Sequence, residues 1–180
     1  MSHEDLNEEN SGGEIVRFPL PDDSHVLTFD LERPNLRGRI VRLGRVLDNI
    51  LEPHQYPLLV ESILTETLTL AVLLSSMLKY DGIFILQTQG DGPVSRLVSD
   101  VTSSGDVRAT ASFDVEKLAA LIKENPEPEM KDLLGSGYLA FTVDQGEHME
   151  RYQGIVALQG RNLQDSIHHY FGQSEQIGTA

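Results

Sequence analysis

The sequence predicts an α+β fold, with mixed or antiparallel sheets packed against helices in a single core domain. Three observations lead there. Apolar residues recur at helical spacing between residues 40 and 51 and again from Pro57 to about residue 79. A period of two takes over between residues 83 and 113. The strand-like segments also come in runs instead of alternating singly with helices, which argues against a parallel α/β sheet.

Ile40, Leu43, Val46, Leu47, Ile50 and Leu51 put one amphipathic helix over about 41–51, closed by Pro53. Pro57 suits a first helical turn and opens a longer helix to about residue 79. The second half of that helix is apolar on more than one face, so burial on several sides is expected. Tyr80-Asp81-Gly82 ends it. Residues 83–89 read as a buried strand and Gly90-Asp91-Gly92-Pro93 as a turn taking a positive φ at a glycine. Residues 94–101 read as a strand and 102–106 as a tight turn. Val107, Ala109, Ala111 and Phe113 then alternate with Arg108, Thr110 and Ser112, the pattern of a half-buried antiparallel strand. Asp114 caps a short helix through Leu118, Leu121 and Ile122, and residues 125–129 form a loop. Residues 138–143 and 152–158 read as a strand pair around a turn, and a final helix from Asn162 puts Leu163, Ile167, Tyr170 and Phe171 on one face.

Residues 1–25 are acidic, contain Gly12, Gly13, Pro19 and Pro21, and keep no sustained period. They read as a mobile tail with room for one short docked strand around 14–18. The core domain is assigned to 26–180. Nothing polar and terminal-looking seals the fold after the last helix, so a chain truncated at that end is expected.

Twenty-eight acidic residues against fourteen Lys and Arg give a net charge of −14. Such a charge repels phosphate backbones, so nucleic acid is not expected as a partner. No uninterrupted apolar run approaches the roughly 20 residues of a membrane helix, and the N-terminus lacks the basic and apolar parts of a secretory signal. No membrane partner and a cytoplasmic location are expected. The chain has no cysteine, which excludes disulfides, thiolate metal sites and thiol nucleophiles within these residues.

Candidate chemistry is sparse. In the 90–93 turn, Pro93 removes an N–H and Asp91 adds negative charge, which is wrong for a phosphate cradle. His168 and His169 are adjacent, about 100° apart on a helix, and no histidine pair has zinc spacing, so no metal is expected. Arg37, Arg39, Arg42 and Arg45 form a basic island that could bind an anion or pair with Asp48 and Glu52. Ser136 lies between two glycines without a nucleophile-elbow pattern. A small cytosolic enzyme with a site near Asp91 or Ser136 remains the alternative reading, and it requires a pocket with converging polar groups at one of them.

Three segments in order carry more: residues 87–93 (QTQGDGP), 150–156 (ERYQGIV) followed by Gly160, and Tyr170-Phe171 followed by Ser174-Glu175-Gln176. Together with Gly135-Ser136-Gly137-Tyr138-Leu139 and Arg37-Gly38, they closely resemble the redox-regulated heat-shock chaperones of bacteria known as the 33 kDa chaperonin family. The resemblance covers about residues 27–176. It implies an ATP-independent holdase that binds unfolding client proteins under oxidative and heat stress and prevents their aggregation, usually as a dimer. It also implies an N-terminal α+β core, a linker and a C-terminal zinc domain with four cysteines, whose oxidation releases zinc and exposes apolar surface. This chain resembles the core without that domain, so the resemblance puts the zinc cofactor and the redox switch outside these residues. Tyr80, Phe84, Tyr138, Tyr152, Tyr170 and Phe171 are the candidate client contacts, although core or rim packing is the more ordinary fate of each. Gly90, Asp91, Gly92, Pro93, Arg151, Gln153, Gly154, Ser174, Glu175 and Gln176 match the family motifs and are expected to shape the fold, not to act chemically.

Overall fold

A computed structural model of the chain describes residues 23–32, 36–146 and 151–172. The described residues open with a hairpin, β1 (His25–Leu31) and β2 (Leu36–Arg42), followed by the short helix α1 (Arg45–Leu51), a single 3-10 turn (Glu52–His54) and the long helix α2 (Leu58–Ser75). Three strands follow, β3 (Ile83–Gly90), β4 (Val94–Thr102) and β5 (Val107–Phe113), and then α3 (Val115–Glu124) and α4 (Met130–Leu134). The strand pair β6 (Gly137–Asp144) and β7 (Tyr152–Ala157) leads to α5 (Leu163–Tyr170). The predicted α+β class holds, and every strand pairing is antiparallel.

The main sheet has the order β5-β4-β3-β6-β7. Its alternation sorts the side chains cleanly. Phe84, Leu86 and Thr88 of β3 stand beside Leu97, Ser99 and Val101 of β4 and Leu139, Phe141 and Val143 of β6, all buried on one face. Helix α2 packs against β4, β3 and β5 on that face. Its length and mean hydropathy of 1.7 would suit a membrane span by composition alone, but Val60, Ile63, Leu64, Leu68 and Ala71 are buried in the core. The expected burial on several sides is met only in part: the fully buried residues follow i, i+3, i+4 spacing along one broad face, and Leu59 and Leu70 beside it are partly buried.

Helix α2 stops at Ser75, short of the expected residue 79. The hydroxyls of Ser75 and Ser76 donate to the carbonyls of Val72 and Leu73 at 3.0 and 2.6 Å, competing for the acceptors that another turn would use. The helix expected over 41–51 begins only at Arg45. Ile40, Val41 and Arg42 instead pair with Leu27, Val26 and His25 in the hairpin. The first strand therefore starts at His25, one residue inside the segment read as tail, and the strand expected around 14–18 lies outside the described residues.

Two helix termini position the elements used below. Asp114 accepts from the N–H groups of Glu116 and Lys117 at 3.0 Å each, the expected cap of α3. At α5 the Asn162 side chain accepts from the Asp165 N–H at 2.9 Å, and Glu66 of α2 accepts from the Leu163 N–H at 2.9 Å. The Glu66 carboxylate thus joins α2 to the N-terminus of α5, where backbone donors and the helix dipole favour negative charge. Its half-buried position nevertheless raises its pKa, because desolvation outweighs those hydrogen bonds.

Candidate functional site

The glycine motifs at 90–93 and 135–137 and the apolar opening of this domain lie in different places. The glycine motifs build a clasp. Gly90 and Gly92 run against the end of α4, where the Gly92 N–H donates to the Leu134 carbonyl at 2.9 Å. A Cβ on Gly90 would stand 2.0 Å from the Leu134 oxygen, and one on Gly92 would stand 2.5 Å from the Leu133 oxygen. Neither glycine has a positive φ, so the expected reason for them is corrected: backbone proximity excludes a side chain here. The positive φ sits across the clasp at Gly135, +67°, where a Cβ would meet the Asp91 carboxylate at 2.1 Å. The Asp91 carboxylate accepts the Ser136 N–H at 2.7 Å, and Pro93 presents its carbonyl to the Asp114 N–H at 2.8 Å. Asp91 and Ser136 therefore hold each other through the backbone. Neither residue lines the apolar pocket or the shallow concavity described below.

The apolar opening lies at the other end of the sheet. Leu74, Met77 and Leu78 at the end of α2, Phe84 of β3, Phe141 of β6, Tyr152 of β7 and Tyr170 and Phe171 at the end of α5 line a pocket of about 270 Å³. The rings are locked to one another. Phe84 stacks on Phe141 at 6.4 Å, Tyr170 meets Phe141 edge-on at 4.7 Å, and Phe171 meets Tyr170 at 5.6 Å. The Tyr152 and Tyr170 hydroxyls are hydrogen-bonded at 2.9 Å. Gly154 makes this packing possible, because a Cβ there would collide with the Phe141 ring at 2.3 Å. Met77 and Tyr152 form the open rim, 56% and 50% exposed.

Four of the six nominated aromatics, Phe84, Tyr152, Tyr170 and Phe171, thus converge on one pocket. Phe84 and Tyr170 are buried, at 1% and 7% exposure, and form its floor and wall, not an exposed surface. Tyr80 is elsewhere: its hydroxyl donates to the Val101 carbonyl at 3.0 Å, and burial raises its phenol pKa. Tyr138 stands on the opposite face of the sheet, beside Ile85, Ala140, Gln153 and Ile155 along a shallow concavity of about 480 Å³. Arg151 bonds Asp144 at 2.8 Å, and the Gln153 amide donates to the Thr142 hydroxyl at 3.2 Å, so both motif residues brace β6 against β7. Ser174, Glu175 and Gln176 lie outside the described residues. Sequence reasoning missed Leu74, Met77, Leu78 and Phe141 as pocket residues. Their signal was the excess apolar face at the end of α2, which the sequence could not match to a partner. No group of three His, Asp or Glu residues able to hold a metal occurs among the described residues.

Comparison with known proteins agrees with the motifs. A family model described as Hsp33 protein matches residues 24–180. A 33 kDa chaperonin of Caulobacter vibrioides is 43% identical over 157 residues, which are 87% of this chain and 52% of that protein. A 33 kDa chaperonin of Escherichia coli is 38% identical over 162 residues, 90% of this chain and 52% of that protein. The crystal structure of a 33 kDa chaperonin from Thermotoga maritima superposes with a TM-score of 0.70 at 22% identity, covering 86% of this chain and 52% of that one, a likeness of fold. The chain spans about half the length of these relatives. With a family match over residues 24–180, which takes in both sheets and the five helices of the described residues, this chain belongs to the Hsp33 family.

Proposed function

We propose that this chain is the client-binding core of a redox-regulated, ATP-independent holdase that captures unfolding proteins in the cytoplasm under oxidative and heat stress. The observation that carries the reading is the aromatic pocket with an open apolar rim, set in a chain of net charge −14. An unfolded client offers bulky apolar side chains, and this pocket can take one of them. Met77 on the rim is unbranched and polarisable, so it adapts to side chains of different shape. The negative charge keeps the loaded complex soluble. No reaction is assigned to any residue.

Magnitudes set how such a site must be used. Burying one apolar side chain contributes about 1.5–3 kcal/mol, whereas even millimolar binding takes about 4 kcal/mol. A single pocket therefore cannot hold a client alone. Several apolar surfaces must act together, on one chain or across a homodimer. The redox switch and its zinc are assigned outside these residues, because no thiolate is available within them.

The test is light scattering from an aggregating client. The chain is expected to suppress scattering at several-fold molar excess, and pre-treatment with hydrogen peroxide is expected not to activate it. Absence of suppression would sink the holdase reading for this chain. Activation by peroxide would sink the assignment of the switch.

A further inference from the structure

Among the described residues two methionines stand in opposite surroundings. Met130, the first residue of α4, is 6% exposed within the hydrophobic core, whereas Met77 is 56% exposed on the rim of the aromatic pocket. The backbone holds Met77 there. Its N–H donates to the Leu74 carbonyl and the Leu78 N–H to the Ser75 carbonyl, each at 3.1 Å, so the chain stays wound onto the end of α2. One residue earlier, the Ser76 carbonyl accepts from Arg39 of β2 at 3.1 Å, which ties this corner to the hairpin. A thioether is thereby presented to solvent at the mouth of an apolar pocket, in a chain that has no thiol to react in its place.

We propose that Met77 is an oxidation site, and that its conversion to the sulfoxide by a peroxide turns the pocket rim against apolar side chains. The thioether sulfur attacks one peroxide oxygen, the O–O bond breaks, a sulfur–oxygen bond forms, and with hydrogen peroxide a water leaves. Sulfur is oxidised by two electrons and the peroxide is reduced by two. The product is polar and carries a hydrogen-bond acceptor where the parent side chain was apolar and adaptable. The pocket gives that oxygen little to bond with. Its lining side chains offer only two hydroxyls, those of Tyr152 and Tyr170, and these bond each other at 2.9 Å. Burying the oxygen against Phe84, Phe141 and Phe171 without a donor costs free energy, so the oxidised side chain turns out to water and its apolar contact is lost. Folding is spared, because an exposed side chain adds little to the core. The direction of control is the reverse of a thiol switch: oxidant lowers apolar capture by this chain. Its consequence for clients rests on the holdase reading, whereas the oxidation itself does not.

The test treats the full chain with graded hydrogen peroxide and follows each methionine by peptide mass spectrometry. Met77 is expected to oxidise at least about tenfold faster than Met130, because oxidation follows exposure. Comparable rates would overturn the proposal. At doses that leave Met130 unmodified, binding of an apolar fluorescent dye and suppression of client aggregation are measured on the parent and on Met77→Leu, each against its own untreated sample. Both readouts are expected to fall at least about twofold in the parent, with the denaturation midpoint unchanged, and to hold in Met77→Leu. A methionine sulfoxide reductase with a thiol reductant is expected to restore the parent. Met1 and Met149 stay in both proteins, so equal losses in the two would place the effect elsewhere and overturn the proposal. Unchanged dye binding at full Met77 oxidation, a lowered midpoint, or stronger suppression by the oxidised parent would overturn it as well. Failure of the untreated chain to suppress aggregation would sink the holdase reading alone, and the oxidation rates and dye binding would still decide this one.

Discussion

The clasp and the aromatic pocket solve opposite problems at opposite ends of one sheet. In the clasp, glycines bring backbone against backbone and a single carboxylate accepts a backbone N–H, leaving no room for anything else. In the pocket, large side chains from five elements meet rim to rim and leave about 270 Å³ open. The glycine motifs at 90–93 and 135–137 belong to the closed region, whereas Tyr152, Tyr170 and Phe171 of the other two motifs line the open one. The open region is built from Leu, Met, Phe and Tyr, which look like ordinary core when read along the chain. Where backbone meets backbone no side chain can be added, and the surface suited to partners lies where side chains can still adapt.

Three substitutions test that contrast. Gly135→Ala should have the largest effect, roughly 2–3 kcal/mol of lost stability, because alanine at +67° is strained and its Cβ displaces the Asp91 carboxylate. Chemical denaturation measures it, and a loss below about 0.5 kcal/mol would show that the clasp is looser than its geometry.

Glu66→Gln should have a smaller, pH-dependent effect. The folded state raises the Glu66 pKa, so its contribution to stability is full below the unfolded value and is lost as pH rises through the folded value. At neutral pH the ionised carboxylate therefore works against the fold, while glutamine still offers an oxygen to the Leu163 N–H. The variant should lose less stability than the parent between about pH 4 and 7, read as denaturation midpoints across that range. A difference between parent and variant that stays constant, or that moves in the parent's favour as pH rises, would contradict the burial-driven shift.

Met77→Ser should have the smallest effect on stability, within about 0.5 kcal/mol because the residue is 56% exposed. It should nevertheless weaken suppression of client aggregation. If Met77→Ser left suppression intact while Gly135→Ala abolished it in a still-folded chain, the roles assigned to the two regions would have to be exchanged.

Much of the architecture was legible because local patterns agreed with it. The alternation in β5, the capping aspartate of α3 and the apolar character of α2 all appear in the sequence as they do in space. The hairpin was hidden because Ile40 and Val41 fit a helical spacing with Leu43 and Leu47 as well as a strand spacing with each other's neighbours. Pairing with residues far back in the chain decided the matter. Helix α4 was missed because it has only five residues, although Glu129 and Asp132 form a reciprocal capping box at its start. The pocket was half visible: its aromatics were nominated, but Phe141 and the α2 end could not be joined to them without the strand order.

The chain alone determined the α+β class, the absence of thiol chemistry, the anionic surface and the family, since each follows from composition or from ordered local motifs. Tertiary structure decided which glycines serve close approach and which serve a positive φ. It also decided which aromatics share a pocket. Those outcomes depend on contacts between residues distant in sequence, and no local period encodes which of several equally apolar surfaces will meet.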